Sequence, residues 1–472
     1  MTGPRGSSLM LLALAIALAV PIVGFAFVLP QTASRLARPS ATLIERFPPW
    51  AAIADVAWPI PSGTLALAGT VVGLVVVAFV AYSAAVFVAW NRPATRRLLA
   101  SVVVVAIVLD GIVALALPTY DTDIFNYIAS GRVGAVHGAN PHTVPPDAFP
   151  TDPVYPYASR TYTSIAGDNK LPAWTALNTV LATVGRDLDV VGQLFLYRTA
   201  LLAVNVLTLV LIGFVASRLA PQLTLAALVL YGWNPIVVLY GQSKVDTLMA
   251  CLAIAAAAVL VRVGRVDRPG ARTAVGLLGL SVLVKIITLP TLALTVFVRW
   301  RTAGRAVVLD LALLVALGVL AYLPYWSGPE TLIAHLGLVA SAGASAPGVI
   351  RGGLFVGFGA LLVVLAWRQT GETGPLVRSW AIAALVFGAL LTRIGLAWYL
   401  IVPIALVAAF PSRGTAVVAI GVSFSSLMFD AWARRPLPDL PGPSSIVYLV
   451  PVAIAAALAF AIARKGVARQ RG

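Results

Sequence analysis

Long apolar runs alternate along the chain with short arginine-rich segments. Runs at about 9–29, 64–90, 99–117, 190–216, 223–240, 245–261, 307–323, 353–367, 415–429 and 446–462 each predict one helix, most of them near the roughly 20 residues that span a bilayer. Two further runs, 273–298 and 380–410, carry arginines on both flanks. Arginine concentrates on the cytoplasmic side of a membrane, so both ends of each run belong there. Each is read as two short helices meeting at a bend. Lys285 and Pro290 sit near the first bend and Arg393 at the second. The expected fold is all-α and polytopic, a single domain over residues 1–472 with about 14 transmembrane helices and both termini cytoplasmic. Every arginine cluster except Arg434/Arg435 then lies inside. The first run is read as a retained helix, a cleaved signal being the alternative, because no clear small-residue cleavage site follows it.

One long polar stretch interrupts the pattern. Residues 118–189 are placed outside the cytoplasm as a large loop. Its first part, Pro118 to Trp174, holds Asp121, Asp123, Asp147, Asp152 and Asp168, two of the three histidines, and many Tyr, Pro and Asn residues. Ile124 to Val136 has the pattern of a short amphipathic helix at the membrane interface, ended by Gly138 and Pro141.

Composition agrees with this picture. The 472 residues are 60% hydrophobic and 11% charged, more apolar than a soluble interior can hide. The net charge of +16 is explained by topology and anionic membrane lipids, and no nucleic-acid partner is expected. The single Cys251 excludes an intrachain disulfide framework. His137, His142 and His335 lack metal-ligand spacing, and no metal or other cofactor is expected.

Asp121-Thr122-Asp123 precedes an apolar-periodic run, which suits helix capping. It equally suits a general base at the outer membrane face. A D-x-D pair also suggests a metal–nucleotide site, but nucleotide sugars are cytoplasmic and this pair is placed outside. On a helix, Asp123, Tyr127, Ser130 and Gly131 share one face, where a glycine would let a bulky ligand approach. Lys285 and Arg393 are charges within apolar runs; at a bilayer centre such a charge costs roughly 2.5–3.5 kcal/mol and calls for a partner or a role. Two cations at two bends suit a lipid-linked phosphate, and snorkelling to headgroups is the plainer alternative. Asp110 has Lys285 or Arg393 as candidate partner. Asp246 either caps its helix or lines the outer cavity, where His335 is a further candidate contact. His142 reads as a loop residue, and Trp398-Tyr399 as aromatic-belt residues. Asn234-Pro235 breaks the helix over 223–240, with Asn234 satisfying freed backbone groups.

Four segments together resemble one family. DIFNYIASGRVGAVHGANPHTVPP is similar to the D-x-x-x-Y-x-x-x-G…G-x-(D/N)-P-Y motif of the GT-C glycosyltransferases, and most of all to the polyprenyl-phosphomannose-dependent α-1,6-mannosyltransferases of lipomannan-type glycans. LYGWNPIVVLYGQSKVDTLM resembles that group's W-N-P…G-H-N-D-x-x-M segment. SVLVKIITLP and LAWYLIVPIAL resemble its K-x-x-x-x-P and W-Y-x-x-x-P helix pairs. The chain departs where the family has G-H-N-D, reading Gly241-Gln242-Ser243-Lys244-Val245-Asp246, and where it has N-P-Y, reading Asn140-Pro141-His142. The resemblance implies a GT-C fold in the plasma membrane and a polyprenyl-phosphate-linked sugar donor, mannose favoured. It implies a glycolipid or glycan acceptor and an α-1,6 linkage formed with inversion. Asp123, or Asp121, would be the base. Lys285 and Arg393, with His335, would hold the donor phosphate. Tyr127, Asn140, His142, Asp246, Trp398 and Tyr399 would line the substrate. A lipid-linked sugar transporter or flippase, and a non-catalytic partner in envelope assembly, are the competing readings; broken helices with charges also suit a transporter.

Overall fold

A computed structural model describes residues 4–24, 64–116, 123–166, 170–329, 348–391, 396–434 and 450–459. The helices are α1 (Pro4–Val23), α2 (Thr64–Trp90), α3 (Arg96–Leu115), α4 (Asp123–Ala135), α5 (Pro172–Val184) and α6 (Val190–Leu219). They continue with α7 (Thr224–Gly232), α8 (Pro235–Tyr240), α9 (Asp246–Val263), α10 (Arg272–Val284), α11 (Leu289–Ala303) and α12 (Val307–Tyr322). The last are α13 (Gly348–Trp367), α14 (Thr373–Val386), α15 (Ile401–Ala409), α16 (Arg413–Arg434) and α17 (450–459). Among the described residues, five stretches are long and apolar enough to cross a membrane: Gly69–Trp90, Arg96–Leu115, Val190–Leu219, Asp246–Val263 and Ile286–Tyr325. Shorter apolar helices, such as Pro269–Val284 and Ala397–Ala409, accompany them. The architecture is that of an all-α, multi-pass membrane protein. Short and broken helices stand beside the long spans, as expected from the arginines flanking residues 273–298 and 380–410.

The breaks fall where backbone chemistry demands them. Pro235 removes a donor, α7 stops at Gly232, and the Asn234 side chain accepts from the Ile236 amide at 2.9 Å to start α8. Tyr82 of α2 donates to the Leu230 carbonyl at 2.7 Å, and Trp233 donates to the Val102 carbonyl at 3.1 Å. The expected bend at Lys285 is also present. There α10 ends at Val284, Lys285 is extended, and a 3-10 turn at Ile286–Thr288 leads into α11, with Pro290 in its first turn. The second expected bend is a π-helical turn at Phe387–Leu391 and a 3-10 turn at Ala397–Leu400. Arg393 lies between them, outside the described residues.

At the centre, α9 packs against α6, α10 and α15. Its buried Ala250, Ala253, Ala256 and Ala257 let neighbouring backbones approach closely. Gly279 of α10 receives Leu314 of α12; a Cβ there would meet the leucine at 2.4 Å. Elsewhere α12 turns Val308, Leu309, Val315, Val319 and Leu320 outward, as a lipid-facing helix does. Of the two expected partners of Asp110, Lys285 is not the one it meets, and Arg393 lies outside the described residues. Asp110 Oδ2 accepts from Asn205 at 2.7 Å, and Lys285 is engaged elsewhere. A short amide reaches Asp110 from α6, on the adjoining helix, whereas the lysine sits at a helix break where Asp246 lies within reach.

Candidate functional site

Among the described residues, the stretch expected to be loop with one short helix holds two longer helices, α4 and α5, and between them one helical turn at Arg160–Thr163, and α4 is no surface helix. Residues Ile124 to Val133 are buried all round, against α5 and α6 among others. Gly131 serves that packing and not a ligand. A Cβ there would come within 2.8 Å of the Asn178 carbonyl and 2.9 Å of Tyr197 Oη. Gly131→Ala should therefore destabilise the protein by about 1–3 kcal/mol, read as a lower unfolding midpoint in detergent. Tyr127, expected to line substrate, is core; its ring meets Trp174 edge-on at 5.2 Å. Gly138, at φ +64°, ends the helix region as expected.

Asp123 opens α4, and two layers of charge meet there. Asp123 is ion-paired with Lys244, at the turn before α9. Lys285, at the break between α10 and α11, is ion-paired with Asp246 at 3.1 Å. Exposure separates the four. Asp123 and Lys285 keep 21% and 14% of their side chains open, whereas Lys244 and Asp246 keep 0% and 1%. Behind each accessible charge thus stands a hidden charge of opposite sign. Asp246 is not the helix cap; Val245 holds that position, and Asp246 in the first turn accepts from Lys285.

Aromatic rings floor both pairs. Lys244 Nζ lies 3.6 Å from the Trp398 ring centroid, and Lys285 Nζ lies 4.0 Å from that of Tyr399. Ring faces attract cations most strongly when water is excluded. Trp398 is 7% exposed, so these two residues form a platform within the protein and not a belt at its surface. Trp398 rests against Tyr240, whose hydroxyl donates to the buried Asp430 carboxylate. A third lysine joins through the backbone. The break at Lys285 leaves the Val284 carbonyl without a helical donor, and the Leu171 amide fills it at 3.1 Å. That bond brings Lys170 to the site, with Nζ 5.2 Å from the Tyr127 ring.

Charge sets the state of Asp123. Burial pushes its carboxyl up, but the positive charges of Lys244, Lys170 and Lys285 outweigh burial and hold it at about 2. It is ionised throughout the physiological range. Asn126 donates to Asp123 Oδ1 at 3.4 Å and accepts from the Ser159 amide at 2.8 Å, which ties in the turn bearing Tyr162. Burial, and then the Asp123 charge, push the Tyr162 hydroxyl up.

The other expected residues go elsewhere. Asn140 donates to the Tyr325 carbonyl at 2.9 Å, and the His142 ring meets Tyr325 edge-on at 4.9 Å. Both anchor the segment after α12. Asp121, His335 and Arg393 lie outside the described residues. Lys170 and Tyr162 did not emerge from sequence reasoning, and Lys244 emerged only as a departure from a motif. A signal was present. The chain has four lysines among its 33 basic residues, and three of the four, Lys170, Lys244 and Lys285, meet here.

The fold and site define a multi-pass membrane protein with a buried, charge-paired polar centre between its helices and a folded polar segment. No family model, curated protein or solved structure matches the chain.

Proposed function

We propose that the chain is an inverting glycosyltransferase of GT-C type in the plasma membrane. It moves a sugar, mannose in the favoured case, from a polyprenyl-phosphate donor to a glycolipid or glycan acceptor at the extracytoplasmic face, forming an α-1,6 linkage. Both termini are placed in the cytoplasm. The carrying observation is the pair of accessible groups of opposite sign, Asp123 and Lys285, each backed by a buried counter-charge. A transferase of this kind needs one group for a hydroxyl proton and another for a phosphate, close together.

In this reading the donor phosphate sits against Lys285, with Lys170 adding positive charge. The acceptor hydroxyl donates a hydrogen bond to Asp123 and attacks the anomeric carbon opposite the phosphate. The new carbon–oxygen bond forms as the bond to the phosphate oxygen breaks, and its electron pair leaves with the polyprenyl phosphate. Lys285 and Lys170 stabilise that charge. The hydroxyl proton passes to Asp123. A carboxylate held at about 2 is a weak base toward a free hydroxyl. It is competent late in the reaction, when the attacking oxygen has become a strongly acidic oxonium.

The test is transfer from radiolabelled polyprenyl-phosphomannose to a membrane glycolipid by purified protein in nanodiscs. Wild type should transfer, and Lys285→Met should raise KM for the donor about ten-fold or more, the loss of one charge-assisted contact. If wild type transfers from neither mannosyl, arabinosyl nor glucosyl donors, the lipid-linked sugar transporter becomes the better reading.

A further inference from the structure

The two buried charges are two residues apart in sequence. Lys244 and Asp246 flank Val245, the residue that caps the start of α9. Lys244 reaches Asp123 and Asp246 reaches Lys285, so one short turn supplies the counter-ion of both accessible groups. The turn is firmly held. The Thr247 hydroxyl donates to the Gly241 carbonyl at 2.7 Å, and the Lys244 amide donates to the Tyr240 carbonyl at 3.0 Å. A Cβ on Gly241 would meet the Val237 carbonyl at 2.5 Å and Asn205 Nδ2 at 2.8 Å, so the turn sits tight against α6. Its aromatic floor is likewise two neighbouring residues, Trp398 and Tyr399.

We propose that the Lys244-Val245-Asp246 turn is the positioning device of the site, its two hidden charges fixing the aim and ionisation of the two ligand-facing groups, Asp123 and Lys285. Neither Lys244 nor Asp246 touches ligand. Each holds the group that does, and because both belong to one rigid turn, the base and the phosphate contact keep a constant spacing. The assignment of roles rests on the glycosyltransferase reading; the electrostatic clamp itself does not.

The groups facing Asp123 include Lys244 from the turn before α9, Lys170 from the segment before α5, Lys285 from the α10–α11 break, Tyr162 from the short turn Arg160–Thr163, Tyr399 from the turn before α15, and Asn126 on α4 itself. Those facing Lys285 are Asp246, Lys244, Asp123 and Tyr399. Removing Lys244 deletes the closest cation from Asp123 and leaves burial, which favours the neutral acid, opposed only by Lys170 and Lys285. The Asp123 titration should then move up, by about one to three pH units. Asp123 is partly open and can take a proton, so the variant has a route to a stable fold.

The experiment is infrared difference spectroscopy of the full chain in nanodiscs, subtracting Asp123→Asn from each parent to isolate the Asp123 carboxylate band across pH. Lys244→Met should shift that band's midpoint upward by about one to three units, and Lys244→Arg should restore the wild-type midpoint. The acid limb of the kcat/KM profile for sugar transfer should move with the band. An unmoved midpoint in Lys244→Met overturns the proposal. So does equal loss of transfer in Lys244→Met and Lys244→Arg with an unshifted profile, the mark of a merely structural residue. If wild type transfers no sugar, the transferase reading fails, while the substrate-free band still upholds or overturns the clamp. Should Lys244→Met fail to fold, Asp246→Asn tests the other half. There the donor KM should rise several-fold at unchanged kcat, and an unchanged KM overturns the proposal.

Discussion

Asp123→Asn should lower sugar transfer by about a hundred- to ten-thousand-fold, the span over which a positioned general base acts, while polyprenyl-phosphate binding persists. The asymmetry follows from the pairing. The amide keeps the shape of the carboxylate and an oxygen for Lys244 to bond, so the local fold survives. It cannot accept the hydroxyl proton. The phosphate contact is a separate pair, since the partner of Lys285 is Asp246 and not Asp123. The substitution also removes a negative charge beside three lysines, so donor binding should hold or tighten. Binding is read by retention of labelled polyprenyl phosphate in nanodiscs, and transfer by product formation under single turnover. Wild-type transfer by the variant would remove Asp123 from the chemistry and pass the base role to Asp121. Loss of transfer and binding together would mean that Asp123 organises the whole pocket.

Several features of this fold were legible in sequence because a single local conflict produced each. Arginines at both ends of one apolar run demanded a break, and the chain breaks at Lys285. A proline after an asparagine demanded another, found at Asn234. The acidic start and glycine end of α4 framed that helix to within a residue or two. What stayed hidden was contact across distance. Lys244 and Asp123 are 121 residues apart, and no periodicity links them. The aromatic pair Trp398-Tyr399 has the composition of a membrane belt, and only packing against Tyr240 reveals a platform. Helix α5 was lost inside a stretch judged by its polar content. The choice between lysine and arginine along the chain was the unused clue. A chain that almost always chooses arginine for positive charge has lysine at the site, where a compact ammonium can meet a carboxylate and a ring face together.

Asp310→Ala should destabilise the protein by about 3–5 kcal/mol, the cost of stranding a buried charge, although it lies outside the proposed site. Arg299, near the end of α11, is the arginine directly after the run 273–298, one of the flanking charges that mark the cytoplasmic side and so imply an exposed head. Arg299 is fully buried. Its guanidinium donates to both Asp310 oxygens, at 2.6 and 3.2 Å, and to the Val266 and Arg268 carbonyls. Arg272, at the start of α10, donates to the same carboxylate at 3.1 Å. One aspartate near the start of α12 therefore ties that helix to α10 and α11, and Arg299 carries the link on to the turn after α9. Removing it leaves Arg299 charged and without a carboxylate, since arginine does not neutralise by losing its proton. Arg299→Met is the milder change. It removes the charge that Asp310 must otherwise balance, and Arg272 remains as a partner for the carboxylate. The thermal midpoint in detergent should thus fall further for Asp310→Ala than for Arg299→Met, and the double variant should lose less than the sum, because the stranded charge is gone. Equal and additive losses would show that the two residues contribute packing alone. The same measurement separates fold from chemistry. The Asp310 variant should keep a wild-type Asp123 titration in whatever fraction remains folded, because the lysines that set it stand on other turns.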